Sequence, residues 1–311
     1  MDKLPTLDKY NLHNYVIKKV SSADEMRSTI IEFEVMEGWM PALDDHQLYY
    51  NTDPDGFFIG QLDGKTISCI SMVKYGDAFA FLGIYIVLKE HRGNGYGLAL
   101  FKHAMESVSP TCNVALDGVV EKTPLYRKWG FMETFMNRRI QIDITTAATK
   151  LESFVPPSDV FIQPANQVDF NKLTVYDTDV FGAPHHLFLK GLVDGPNTIT
   201  LVASNQNGGI IGFVAARKTI IVEEGWRLAP LFADNSQIAR TLLKAAFKEM
   251  IKISPDRKIA MFELSQSTHE ASALADELNA TPLFDMCRMF TKGQLNFPKE
   301  KVFSFCAGEL G

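Results

Sequence analysis

The chain lacks a stretch apolar enough to cross a bilayer: its most apolar run, Ala78 to Leu88, is about half of the roughly 20 residues a spanning helix needs. A charged-then-apolar leader and a lipidation signal are also missing, so a cytoplasmic location is the default expectation and a membrane partner is not expected. Basic residues are in deficit, 31 Lys and Arg against 37 Asp and Glu, and they are scattered rather than blocked. That argues against nucleic acid as a partner, since a nucleic-acid surface needs a basic face. Cysteine is scarce: Cys69, Cys112, Cys287 and Cys306 are far apart, and no C-x-x-C or H-x-x-x-H spacing occurs. Neither a structural metal nor a disulfide is expected, and the thiols read as small hydrophobes. The adjacent His185 and His186 are badly placed to share one metal. What is present is an ordinary globular composition, 46% apolar over 311 residues, enough for two domains.

The stretch from Ala78 to Val108 organises the rest. Its apolar opening reads as a buried strand, ended by Lys89, Glu90, His91 and Arg92. Gly93, Gly95 and Gly97 follow, interleaved with Asn94 and Tyr96, and then Leu98, Phe101, Ala104, Met105 and Val108 recur at the spacing of one helix face. Strand, glycine turn and helix make an anion site, because glycine permits close approach and the first helical amides have no internal partner. A P-loop is excluded, since Leu98 and Ala99 stand where it needs Lys and a hydroxyl. The dinucleotide fingerprint fits poorly: Asp117 lies about twenty residues on, but the spacing is G-x-G-x-G and four charged or polar residues intervene after the strand. An Arg-x-x-Gly-x-Gly pattern is filled by Arg92, Gly95 and Gly97.

In this pattern the chain resembles the GNAT superfamily of N-acetyltransferases, whose acyl-CoA pyrophosphate loop has that form. Around it the order of elements fits. Tyr15 to Val20 is a strand; Ser21, Ser22 and Asp24 offer caps for a helix with Met26, Ile30, Phe33 and Met36, ending near Gly38. Asp44 and Asp45 either cap a helix through Leu48 and Tyr49 or meet the substrate; both readings stand. Phe57 to Leu62 and Lys65 to Tyr75 form a hairpin about Asp63-Gly64. Asn113 to Val120 is a strand, a helix starts near Thr123-Pro124 and stops at Gly130, and Phe131 to Ile144 closes the half as an edge hairpin or strand. Tyr126 to Phe131 also resembles the family's Tyr-x-x-x-Gly-Phe segment.

A Pro-containing linker, 148–158, separates this half (1–147) from a second that repeats the order over 159–296, leaving a tail, 297–311, that the pattern does not read. Val160 to Pro164, a helix from Asp169, a hairpin about Asn205 to Gly208, Gly225 to Leu231, the helix Ile238 to Met250, Lys258 to Leu264 and Ala271 to Leu278 follow in turn, and Phe284 to Met289 lines up with Phe135 to Ile140. The fold class is α/β (α+β), tandem GNAT folds, each a mixed and mostly antiparallel sheet flanked by helices. In the second copy Asp234 to Ala239 replaces the glycine loop, and Ala275 falls opposite Tyr126. An acid there would repel pyrophosphate, so this copy is expected to be degenerate.

The resemblance implies acetyl-CoA as co-substrate and transfer of its acetyl group to a primary amine by direct attack, a small-molecule acceptor being favoured. It places pyrophosphate on Arg92, Gly93, Asn94, Gly95, Tyr96 and Gly97, and the thioester carbonyl at a backbone amide near Tyr85, Ile86 and Val87. Tyr126 is the expected acid for the leaving thiolate, against a packing role that only hydrogen-bonds the cofactor. The base that frees the amine is expected among Asp44, Asp45, His46, Glu34, Glu37 and Asp117, with the carboxylates favoured over the lone His. The second half is expected to shape the acceptor site or to support a homodimer, with Tyr176 to His186 as either a functional loop or a connector. The rival readings are a non-catalytic acyl-CoA-binding regulator and a protein-lysine acetyltransferase.

Overall fold

The computed structural model describes residues 6–311. The first half contains β1 (Tyr15–Lys19), α1 (Ala23–Met26), a π-helical turn (Arg27–Ile31), α2 (Glu32–Met36), α3 (Asp45–Thr52), β2 (Phe57–Leu62), β3 (Lys65–Lys74) and β4 (Phe79–Val87). It continues through α4 (Tyr96–Glu106), β5 (Asn113–Val119), α5 (Thr123–Arg127), β6 (Met132–Asp143) and α6 (Ile144–Lys150), so the first residues of the expected linker are helical. Then come β7 (Val160–Pro164), α7 (Phe170–Phe181), α8 (His186–Asp194), β8 (Thr198–Asn205), β9 (Ile210–Lys218) and β10 (Trp226–Ala233). The chain ends with α9 (Ser236–Ile253), β11 (Ile259–Ser265), α10 (His269–Glu277), β12 (Thr281–Phe290) and β13 (Val302–Ser304).

Local chemistry accounts for many of these boundaries. Ser22 accepts from the Glu25 amide while the Glu25 carboxylate reaches back to the Ser21 amide (2.7 Å), a reciprocal cap that starts α1. Asp63 and Gly64 both take positive φ, the two-residue turn that matches strand twist. The α7 helix starts at Asp169, whose side chain accepts from Asn171, and stops at Gly182 in the left-handed region.

Among the described residues all thirteen strands join one sheet in the order β1-β2-β3-β4-β5-β12-β6-β11-β13-β10-β9-β8-β7. Pairing is antiparallel except β4–β5 and β10–β11. The two halves exchange their sixth strands: β12 lies against β5, and β6 pairs with β11 on one side and β12 on the other. The segment read as an edge is therefore a central strand. Its twelve residues carry Arg138 and Arg139 in the middle, which an edge reading accommodates easily; here each finds a carboxylate across the strand exchange. The tail is also built in, since β13 runs between β11 and β10 and Phe305 to Leu310 are largely buried.

One apolar cluster joins the α1–α3 face of β2–β4 to α7, α8 and the tail. Another packs α4 on the opposite face of β2–β5, and a third packs α9 and α10 on the second half's strands. The four cysteines are buried free thiols.

Candidate active site in the first half

The β4 and β5 strands run parallel only at Phe79 to Phe81, opposite Asn113 to Ala115. Beyond that point, among the described residues, no strand fills the gap, so the β5-facing edge of β4 from Leu82 onward has no ladder partner. A bulge lies here. Cys69 and Ser71 of β3 face Ile86 and Gly83, so Ile84 and Tyr85 oppose a single residue, and Ile84 takes a φ of 47°. Positive φ costs a β-branched residue of order 1–3 kcal/mol and turns the local amides out of the ladder. The sequence reading placed the thioester carbonyl at this strand end.

The glycine turn follows directly. Gly93 and Gly95 have φ of 84° and 86°, and Gly95 is the residue before α4, which no side chain caps. A side chain at Gly97 would meet the Tyr85 hydroxyl at 2.5 Å, so glycine there allows helix and strand to touch. Asn94 ties the turn by donating to the carbonyls of His91 (3.2 Å) and Arg92 (3.3 Å). The Tyr96 ring packs 4.7 Å from Tyr15, whose hydroxyl donates to the Tyr96 carbonyl (3.3 Å). Arg92 is engaged within the protein: Nε donates to the Val87 carbonyl and Nη2 to Glu37, both at 2.7 Å. It therefore joins the turn to the end of β4 and to the last turn of α2.

Tyr126 crosses β5 at Gly118, where a side chain would lie 2.8 Å from its ring, and faces Phe101 of α4 (6.1 Å). Its hydroxyl has no hydrogen-bond partner among the described residues. Burial pushes its pKa up to about 12, so the phenol stays protonated at physiological pH. Burial, with Tyr126 and Tyr15 adding to it, also pushes Tyr85 up. Gly97, Tyr85 and Tyr126 thus form one patch beside the open strand edge.

The carboxylates considered for the amine's proton have distinct surroundings. Asp44 sits at the start of α3 without capping it; its oxygens accept from the Asn197 amide (3.1 Å) and side chain (3.2 Å) in the second half. Asp45 is fully buried, ion-paired with Arg217 of β9, and accepts from the Ala42 amide (2.8 Å) and the Tyr49 hydroxyl (3.1 Å). Asp117 accepts from Nε and Nη2 of Arg288 (2.6 and 2.7 Å) and from the Asn137 side-chain amide (3.0 Å). Glu37 is bound to Arg92. Glu34 alone of the set is fully buried with neither oxygen bonded among the described residues.

Sequence reasoning missed a buried ionic group at the junction of the halves. Glu309 of the tail accepts from Arg227 of β10 (2.7 and 3.1 Å), and Arg139 of β6 pairs with Glu263 of β11 and lies 3.4 Å from Glu309. Burial raises the Glu309 pKa, but Arg227 and Arg139 outweigh it and hold the group at about 2. The only local signal was an Arg or Glu inside apolar strands, as in WRLAPLFA and IAMFELS. The Glu309 carbonyl also lies against Gly83 of β4, where any side chain would collide with it.

The second copy is arranged differently at the same points. Asn235 precedes α9 and accepts from the amides of Gln237 (3.0 Å) and Ile238 (3.1 Å). Asp234 is bound by Lys301 (2.9 Å) and the Tyr176 hydroxyl (3.1 Å). The β10–β11 pairing covers only Trp226 and Arg227, and β13 then occupies the gap.

Both halves match models of one family: residues 23–131 match the acetyltransferase (GNAT) family and residues 173–304 an acetyltransferase (GNAT) domain. Holothin acyltransferase from Pseudoalteromonas sp. (strain SANK 73390) is 28% identical over 247 residues, 78% of this chain and 79% of that protein. A Pyrococcus horikoshii structure assigned as an acetyltransferase superposes with a TM-score of 0.76 at 16% identity, covering 98% of each chain. A tandem GNAT protein from the clavulanic acid biosynthesis pathway gives 0.64 at 12% identity, over 89% of this chain and 98% of that one. With two GNAT units in one continuous sheet, the chain belongs to the GNAT superfamily and is a tandem-domain acyltransferase.

Proposed function

We propose that the protein is an acetyl-CoA-dependent N-acetyltransferase whose first half alone binds the acyl donor, and whose acceptor is a small primary amine. One contrast carries the reading. In the first half the gap between β4 and β5 is open and α4 begins on an uncapped glycine; in the second half a strand fills the gap and a side chain caps the helix. Pyrophosphate on the amides at the start of α4 would gain from the helix dipole and from close approach at Gly93 to Gly97. Arg92 then serves by shaping the turn, its charge being shared with Glu37.

The thioester supplies an activated acetyl group. Amides near Tyr85 to Val87, freed by the bulge, stabilise charge that develops on its carbonyl oxygen. Tyr126 donates a hydrogen bond to the departing sulfur. With a phenol at about 12 and a thiol reference of about 8.5, full proton transfer from Tyr126 runs uphill by roughly 5 kcal/mol, so a hydrogen bond is its main contribution. A small acceptor is favoured because the α2 side of β4 is covered by the tail and the second half.

The test is thiol release from acetyl-CoA over a panel of amines, together with calorimetric titration of the intact chain with CoA. One CoA per chain and amine-dependent turnover are expected. Binding without turnover on any amine would favour a regulator; turnover on a lysine-bearing protein but on no small amine would make the acceptor a protein.

A further inference from the structure

A groove of about 520 Å³ opens to solvent in the second half, a volume within the range of small-ligand pockets. Its floor is Ile162 of β7 with Ile199 and Leu201 of β8, on the sheet face that packs α9, and Ala245 and Ile253 of α9 overhang it. Ile162 and Ile199 are only partly buried and Ile253 is 49% exposed, so branched aliphatic surface is left facing water. Apolar surface left wet in a concave place is the mark of a binding site rather than of ordinary packing.

The internal repeat shows why the space exists. Pro164 faces Leu201 in the second half as Lys19 faces Phe58 in the first, so Leu201 and Phe58 hold matching positions. Phe58 is buried and meets the His103 ring of α4 edge-on at 5.0 Å. Leu201 is smaller and leaves room. The α4 helix also stops after 11 residues, whereas α9 runs for 18 from the matching start, so Lys248, Glu249 and Ile253 lie beyond anything α4 supplies.

Three donors at this groove are unused. Among the described residues the Lys248 ammonium has no carboxylate partner, and the Asn166 amide and the Thr198 hydroxyl make no hydrogen bond. The other polar groups are engaged: Thr200 donates to the Leu192 carbonyl (2.7 Å), and Glu249 is paired with Lys252 (3.6 Å). One positive charge is therefore left over. It lies more than a turn before the C-terminal end of α9 at Ile253, where the helix dipole would oppose an anion. No aromatic ring lines the groove, so its surface suits an aliphatic body. A phosphate monoester, with nearly two charges, would meet one free cation and the Glu249 carboxylate nearby; a carboxylate carries the single charge that Lys248 matches.

We propose that this groove is a second ligand site, taking a medium-chain aliphatic carboxylate. The carboxylate pairs with Lys248 and accepts from Asn166 and Thr198, and the chain lies on Ile162, Ile199 and Leu201 beneath α9. The site is independent of the acyl-transfer reading, because none of these residues belongs to the glycine turn or to the open edge of β4. It gives the second half, whose own helix start is capped by Asn235, a ligand of a different kind.

The intact chain is titrated calorimetrically with octanoate, with octanol as the uncharged probe of equal length, and with octanoate again in saturating CoA. One octanoate per chain is expected, with octanol at least tenfold weaker and CoA without effect. Lys248→Glu should weaken octanoate at least tenfold, and Ala245→Trp, which fills the groove, should abolish its uptake. CoA titrations of both variants should stay within about threefold of wild type. If Ala245→Trp does not fold, the surface change Lys248→Glu decides alone. No saturable octanoate uptake, equal affinity for octanol, uptake untouched by Lys248→Glu, or displacement by CoA would each overturn the proposal. A chain that takes octanoate but no CoA would sink the acyl-transfer reading and leave this site standing.

Discussion

Asn235 and Gly95 stand at the same point of the repeated unit, the residue before α9 and before α4, and treat the helix amides in opposite ways. Asn235 bonds two of them; Gly95 leaves them free. Gly95→Asn should weaken CoA binding at least tenfold, because it supplies a competing acceptor and collides with the Tyr10 ring packed over that glycine. Asn235→Ala should cost about 1 kcal/mol of stability and leave CoA stoichiometry at one. Calorimetry on both variants checks the pair.

Tyr126→Phe removes only the hydroxyl, which bonds nothing among the described residues, so folding should be unaffected. If that hydroxyl supports the leaving sulfur, kcat should fall about tenfold with little change in CoA affinity, the size of one lost hydrogen bond. Steady-state kinetics with binding measured separately reads this out.

The close contact of Gly83 with the Glu309 carbonyl makes a small change costly. Gly83→Ala should lower stability by about 1–3 kcal/mol, since backbone rather than a flexible side chain must give way. Gly64→Ala meets no neighbour and should cost only the strain of its positive φ, about 1 kcal/mol. Denaturant melts of the two variants measure the difference.

Asp45 and Arg217 form a buried pair across the halves. Asp45→Asn should cost about 3–5 kcal/mol by leaving the guanidinium unpaired, while Asp45→Leu with Arg217→Met should recover most of it. A double-mutant cycle on unfolding free energy gives the coupling.

Stability should fall away on both sides of a mid-acid optimum. Arg227 and Arg139 hold Glu309 at about 2 in the fold against about 4.3 unfolded, so it contributes stability above the unfolded value that is lost as pH falls toward 2. Glu34 is shifted upward, so the fold holds its proton more tightly and stability declines as pH rises through the window above about 4.3, by up to about 1.4 kcal/mol per pH unit. Thermal melts across pH should show the acid limb flattened in Glu309→Gln and the alkaline limb flattened in Glu34→Gln.

Local chemistry was legible in the sequence. The Asp63-Gly64 hairpin, the Ser22 cap and the strand, glycine turn and helix around Gly95 each follow from residues within a few positions of one another. The strand exchange was not. Phe135 to Ile140 and Phe284 to Met289 are alike, and likeness is what lets one strand take the other's place without leaving a trace in either pattern. The acids Asp44 and Asp45 looked equally fit for capping or chemistry because their partners, Asn197 and Arg217, lie more than 150 positions away. Glu34 was one carboxylate among several; its isolation is a property of packing, not of spacing.

The exchanged strands also govern how the protein emerges from the ribosome. The edge of β5 stays without its neighbour until β12 is made, roughly 170 residues later, which at common elongation rates is on the order of ten to thirty seconds. For that interval an apolar strand edge is offered to other nascent chains, so chaperone supply and translation speed should set the yield of this enzyme more than they do for a protein whose N-terminal unit closes by itself.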